Sequence, residues 1–246
     1  MTQFWLWIGF IGMTIGAIFF GMSASRNRSE RWKILLTLNF FITAIAAVLY
    51  LAMVMGQGKG IFYDKETYWI RYVTWFLSTP LLLLVLTHLG RNCRSVIGGL
   101  IGANAAMIAT GFVATISPAP ISYVWYLVSC GFYVGVAYLL LVNYRIESEQ
   151  NNPGKVGKDA FNRLLTVHLI LWTAYPIVWI LAVTGFGLLS SGVETMFYTV
   201  LDVVAKVGFG FLSLNTLEKL DTIPDSHNSY RADDSVPGRP PVLDRV

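Results

Sequence analysis

Seven apolar blocks occupy the first 217 positions of this 246-residue chain. Each is about 20 residues long, the length a helix needs to cross a hydrocarbon core of roughly 30 Å. They run over approximately 4–24, 34–55, 68–89, 96–115, 121–143, 164–185 and 193–217, with short turns rich in Gly, Pro, Ser or charge between them. Only 13% of the residues are charged and 55% are hydrophobic, whereas an ordinary soluble domain is roughly a quarter charged. The expected fold is therefore an all-α membrane protein, a seven-transmembrane-helix bundle covering residues 1–217 and embedded in the lipid bilayer of the cell membrane. Its first block reads as a retained span, because no basic residue precedes it and it exceeds a signal-peptide core in length.

Lys and Arg are distributed unevenly between the connections. Arg26, Arg28, Arg31 and Lys33 fall in the first, Arg91 and Arg94 in the third, and Arg145, Lys155, Lys158 and Arg163 in the fifth; the other side has Lys59 and Lys65. By the positive-inside rule the odd loops are cytoplasmic, the amino terminus is outside and the carboxyl terminus is inside. The net charge of +4 follows from this topology, so it gives no reason to expect a nucleic-acid partner. Residues 218–246 are polar, rich in Pro and Asp and without periodicity, which is the composition of a disordered cytoplasmic tail. Cys93 in a loop and Cys130 in a span are not placed for a disulfide or a metal site. No Walker, zinc or nucleophile-elbow pattern is present, and neither a metal nor enzyme chemistry is expected.

Very few charges lie inside the blocks: Arg71, Asp202 and Lys206, with Glu194 at the outer edge of the seventh. Intramembrane charges are costly and mark functional sites. A purely structural ion pair at i and i+4 is the alternative for Asp202 and Lys206, although apolar residues would serve stability as well. Lys206 sits too deep to extend its amine to either interface, and a desolvated lysine is suited to forming a Schiff base with an aldehyde. Trp75, Trp125, Tyr126, Trp172, Tyr175 and Trp179 on other spans could be ordinary packing residues. Around a central lysine they suit a long, flat, conjugated aldehyde.

The segments "RYVTWFLSTPLLLL" (71–84), "LWTAYPIVW" (171–179) and "LDVVAKVGFG" (201–210) resemble the third, sixth and seventh helices of the microbial rhodopsins, over residues 4–217. The resemblance implies all-trans retinal bound to Lys206 as a protonated Schiff base, with Asp202 as counterion. It implies a pocket of Tyr72, Trp75, Thr79, Met107, Gly111, Ser129, Cys130, Trp172, Tyr175, Pro176 and Trp179. Tyr126 and Tyr133 stand where bacteriorhodopsin has Trp and Met. A homotrimer is implied by analogy alone.

Arg71, Thr74, Ser78 and Val85 share one face of the third helix. Proton pumps of the family place carboxylic acids at the positions of Thr74 and Val85; Thr, Ser and Val there resemble the halorhodopsins, the cyanobacterial anion pumps most closely. Arg71 and protonated Lys206 contribute two positive charges against one on Asp202, and unit charges about 4 Å apart interact by about 4 kcal/mol at an effective dielectric near 20. An anion held by Arg71, Thr74, Trp75, Ser78, Asp202 and Lys206 would restore neutrality. The expectation is a light-driven inward pump for chloride, other halides or sulfate; a sensory photoreceptor with a bound anion and a light-gated anion channel stay open. Asn39 and His168 are either helix contacts or part of an exit path. Gly98 and Gly102 have the small-xxx-small spacing of close helix packing. Pro80 and Pro176 are expected to kink their helices, His88 to lie at a helix end, His227 in the tail, and Glu194 on the outer face without a clear partner.

Overall fold

A computed structural model describes residues 1–26, 28–152 and 154–221. Seven of its helices are long and apolar enough to cross a membrane: α1 Thr2–Ala24, α2 Glu30–Val54, α3 Ile70–Gly90, α4 Arg94–Thr115, α5 Ile121–Asn151, α6 Lys155–Leu181 and α7 Ser191–Asp221. Helix is the form that satisfies every backbone N–H and C=O within the segment where no water is present. The seven apolar blocks thus correspond one to one with the helices.

The helix ends differ from the block ends for a physical reason. Helix α5 continues to Asn151 and α6 begins at Lys155, so charged turns extend both beyond the apolar blocks. Hydropathy reports the thickness of the bilayer, not the length of the helix. Helix α7 reaches Asp221, four residues past the expected end of the bundle. The tail from 222, with His227, lies outside the described residues.

Between α2 and α3 the chain forms a hairpin that the apolar pattern did not announce. Strand β1, Lys59–Phe62, pairs antiparallel with β2, Lys65–Tyr68. Tyr63 and Asp64 form its two-residue loop, with φ of 49° and 63°; the tightest hairpin turns need positive φ at both central residues. Neither is Gly or Asn, so the usual sequence signal is missing. Lys65 Nζ donates to the Thr184 carbonyl oxygen at 3.2 Å, which ties the hairpin to the α6–α7 connection.

Helix α3 is the most enclosed span. Leu82, Leu83, Val85, Leu86 and Leu89 pack with Leu164 and Leu165 of α6 and Phe209 and Leu217 of α7 in one apolar cluster. In lipid such contacts are selected by close packing rather than by removal from water. Gly9 of α1 illustrates this, because a Cβ there would run into the Tyr50 ring of α2. Gly98 and Gly102 do not behave as expected: a Cβ at either would meet nothing within 4 Å, so they do not mediate close packing within the described chain. Pro80 and Pro176 both lie inside their helices.

Candidate functional site

Lys206 is 1% exposed and sits where the α-helical ladder of α7 gives way to a π turn over Val204–Gly208. Single π turns inside helices commonly occur at functional positions. One turn earlier, Asp202 is also 1% exposed, and its carboxylate is surrounded by donors. Lys206 Nζ and Tyr175 Oη, the latter at 2.8 Å, donate to Oδ1, as does Trp75 Nε1 at 3.3 Å. Tyr50 Oη donates to Oδ2 at 2.9 Å. An ionised carboxylate is purely an acceptor, so four donors from α2, α3, α6 and α7 fix its orientation.

A cavity closes on Lys206 from the other helices. Its wall contains Tyr72, Trp75, Thr79, Met107, Gly111, Tyr126, Ser129, Cys130, Tyr133, Trp172, Tyr175, Pro176, Trp179 and Lys206. The pocket residues implied by the resemblance are all there, but two residues expected around the lysine are not on the wall: Asp202, which accepts from the amine, and Trp125, which α5 leaves 37% exposed, turned away from the cavity. Leu82, Ile108, Tyr198 and Ala205 complete the wall; sequence reasoning missed them because they look like ordinary span residues. Tyr126 stacks on Trp179 with ring centroids 4.7 Å apart and planes 12° apart. Trp179 Nε1 donates to Thr115 Oγ1 at 2.9 Å, and Tyr72 shares a hydrogen bond with the same hydroxyl. Thr79 donates to the Trp75 carbonyl oxygen and accepts from Asn104 Nδ2 at 2.9 Å. A largely aromatic cavity with one buried amine on its wall suits a conjugated aldehyde joined to that amine.

Arg71 is 4% exposed on α3. Its Nη1 lies 3.2 Å from Glu194 Oε1 and its Nη2 donates to Thr195 Oγ1 at 2.9 Å. The guanidinium rests against the Tyr68 and Tyr198 rings, 5.0 Å from each centroid. Glu194 is 7% exposed. The expectation of an outer-face residue without a partner is therefore corrected, since the first turn of α7 points Glu194 inward onto Arg71. The charge count changes with it. Arg71 with Glu194 and Lys206 with Asp202 form two pairs, and the expected surplus of one positive charge disappears.

Thr74 and Ser78 are buried on α3, and neither belongs to the wall of the cavity. Thr74 Oγ1 donates to the Ile70 carbonyl oxygen at 3.2 Å, while Ser78 Oγ is buried without a partner. Val85 is fully buried in the apolar cluster. Asn39 Nδ2 donates to Leu35 O and Ser213 Oγ, and its Oδ1 is unpartnered. His168 lies against Trp172 and Phe209 with Nε2 unpartnered. His88 ends α3, with Nε2 3.1 Å from the Arg31 carbonyl oxygen.

A seven-helix bundle with a buried lysine, its carboxylate and an aromatic cavity defines a membrane protein built around a covalently held chromophore. The family described as bacteriorhodopsin-like protein matches residues 1–220. The chain is 38% identical over 225 residues to the bacteriorhodopsin of Haloterrigena sp., covering 89% of each. It is 37% identical over 217 residues to archaerhodopsin-1 of Halorubrum ezzemoulense, covering 86% and 83%. Cyanorhodopsin from the cyanobacterium Calothrix superposes with a TM-score of 0.84 at 41% identity, over 89% of this chain and 96% of that one. Thermophilic rhodopsin from Rubrobacter xylanophilus gives 0.82 at 34% identity, over 89% and 97%. The chain belongs to the bacteriorhodopsin-like family of microbial rhodopsins, retinal-carrying light-driven ion pumps of the plasma membrane. These relatives place it in that family at large and do not single out the halorhodopsins.

Proposed function

We propose that the protein is a light-driven pump carrying an anion, such as chloride, another halide or sulfate, into the cell, with retinal attached to Lys206. The observation that supports this reading is the buried face of α3. Thr74, Ser78 and Val85 are 1%, 0% and 0% exposed, and none can accept or supply a proton as a carboxylic acid can. The buried carboxylates among the described residues are Asp202 and Glu194. One is held by four donors and the other by Arg71.

Bound to Lys206, retinal supplies light absorption and a change of shape that reorients the Schiff-base N–H. The chain's own residues do the rest. Tyr50, Trp75 and Tyr175 hold Asp202 against the amine, so the positive charge has one fixed partner. Ser78 Oγ, buried and unpartnered, is a donor available to an anion, and Thr74 is a second when it turns from Ile70 O. Arg71, one turn from Thr74 and expected to lie on its external side, attracts an anion inward once Glu194 yields its place.

Outward proton transport is the second reading. The Arg71–Glu194 pair favours it, because that pair leaves the site neutral and weakens the electrostatic pull on an anion; Asp202 would then be the proton acceptor. Thr74→Asp separates the two. If the anion sits beside Thr74, a carboxylate there removes the dependence of the absorption spectrum on chloride. It also lowers anion transport at least tenfold, the effect of about 1.4 kcal/mol of lost affinity. Unchanged transport and chloride-dependent colour would rule out Thr74 as a neighbour of the anion.

A further inference from the structure

At the end of the bundle that holds the carboxyl-terminal turn of α7, a groove of about 430 Å³ opens between α2, α3 and the start of α4. Arg31, His88 and Arg91 line it together with the apolar Ile34, Leu38, Leu84 and Ile97 and the polar Thr87 and Asn92. Leu38 lies seven residues beyond Arg31 in α2, about 10 Å along the axis at 1.5 Å per residue. The cationic and apolar parts thus occupy successive levels along α2. Ile34 is 39% exposed within a span, so the groove faces lipid rather than the interior that contains Lys206.

We infer that this groove binds an anionic phospholipid, with the phosphate between Arg31 and Arg91 and an acyl chain along Ile34, Leu38, Leu84 and Ile97. Three observations support it. First, the charge of the groove is incompletely matched. Arg31 Nη1 lies 3.5 Å from Asp221 and its Nη2 donates to the Leu89 carbonyl oxygen at 3.0 Å, but its Nε is buried without a partner. Asp221 offsets one of two arginines, while Glu147 turns instead to Asn92 and Cys93. Second, Arg91 closes α3 in the left-handed region, with φ of 54°. A non-glycine residue is uncommon there, and this conformation ends the helix with Arg91 on the groove. Third, an ion alone would use the arginines and leave the apolar part empty, whereas a lipid fills both. Basic pockets between spans are a known means of holding acidic headgroups.

The test uses the full retinal-loaded chain, delipidated in detergent and titrated with phosphatidylglycerol or phosphatidylcholine, bound lipid being counted by native mass spectrometry. Phosphatidylglycerol should be retained and phosphatidylcholine should not. Arg31→Gln with Arg91→Asn should lower phosphatidylglycerol retention about tenfold or more, as expected for the loss of two arginine contacts. Because Arg31→Gln also breaks the Asp221 contact, Arg91→Asn alone provides the control. Asn tolerates the left-handed backbone, and this variant should keep the visible absorption band while losing at least about threefold in retention. Retention equal to wild type in both variants, equal binding of the two lipids, or removal of phosphatidylglycerol by inorganic phosphate alone would overturn the assignment; the last would identify a simple phosphate site.

Discussion

Glu194 Oε1 lies 3.2 Å from Arg71 Nη1, with the two side chains 10% and 5% exposed. The pair joins the first turn of α7 to the first turn of α3 and offsets the positive charge of Arg71. Breaking a buried pair by deleting one partner costs roughly 3–5 kcal/mol, and it leaves the other charge to find a new partner. In Glu194→Gln that partner is expected to be the anion. The chloride concentration giving half of the spectral shift should therefore fall about tenfold, equivalent to about 1.4 kcal/mol, while thermal stability without chloride decreases. A titration unchanged from wild type would mean that Arg71 does not bear on the anion.

Lys206→Ala is expected to give a folded apoprotein that stays colourless with all-trans retinal. Among the described residues Lys206 is the buried lysine, and it is the only one on the cavity wall. Absorption and mass spectrometry of the incubated variant check this. A stable covalent adduct would remove the chromophore assignment.

How much of this was legible in the sequence differs from residue to residue. Lys206, Asp202 and the aromatic wall were readable because charge inside an apolar run is costly and short motifs carry the rest. The Arg71–Glu194 pair was not, since the partners are 123 positions apart and no periodicity relates two helices. Tyr50 was missed for a similar reason: a tyrosine in an apolar span looks like packing until its hydroxyl is seen 2.9 Å from Asp202. Asn104 did offer a signal, as a lone amide among small apolar residues of α4, and its bond to Thr79 shows what that signal meant. The hairpin lacked a Gly or Asn at its turn. The charged extensions of α5 and α6 lay outside what hydropathy measures.

The hairpin gives a pH-dependent expectation. The hydrogen bond from Lys59 to Glu66 raises the Lys59 pKa above its ordinary value. Its contribution to stability is thus fully present below the unfolded-state lysine value, and it is lost as pH rises through the higher folded value. Lys59 is 39% exposed, and solvent screening limits such a pair to about 0–1 kcal/mol. Glu66→Gln should accordingly destabilise the protein by less than about 1 kcal/mol near pH 8, with the difference from wild type disappearing at strongly alkaline pH. A gap that widens with rising pH would contradict this assignment of the pair.

The most direct measurement is the light-induced pH change of a suspension of cells expressing the protein, with and without a protonophore. Inward anion transport makes the interior negative and draws protons in passively. The medium should become alkaline, the protonophore should increase the signal, and replacing chloride and sulfate by a bulky impermeant anion should abolish it. Acidification that the protonophore removes would show outward proton transport and contradict the account.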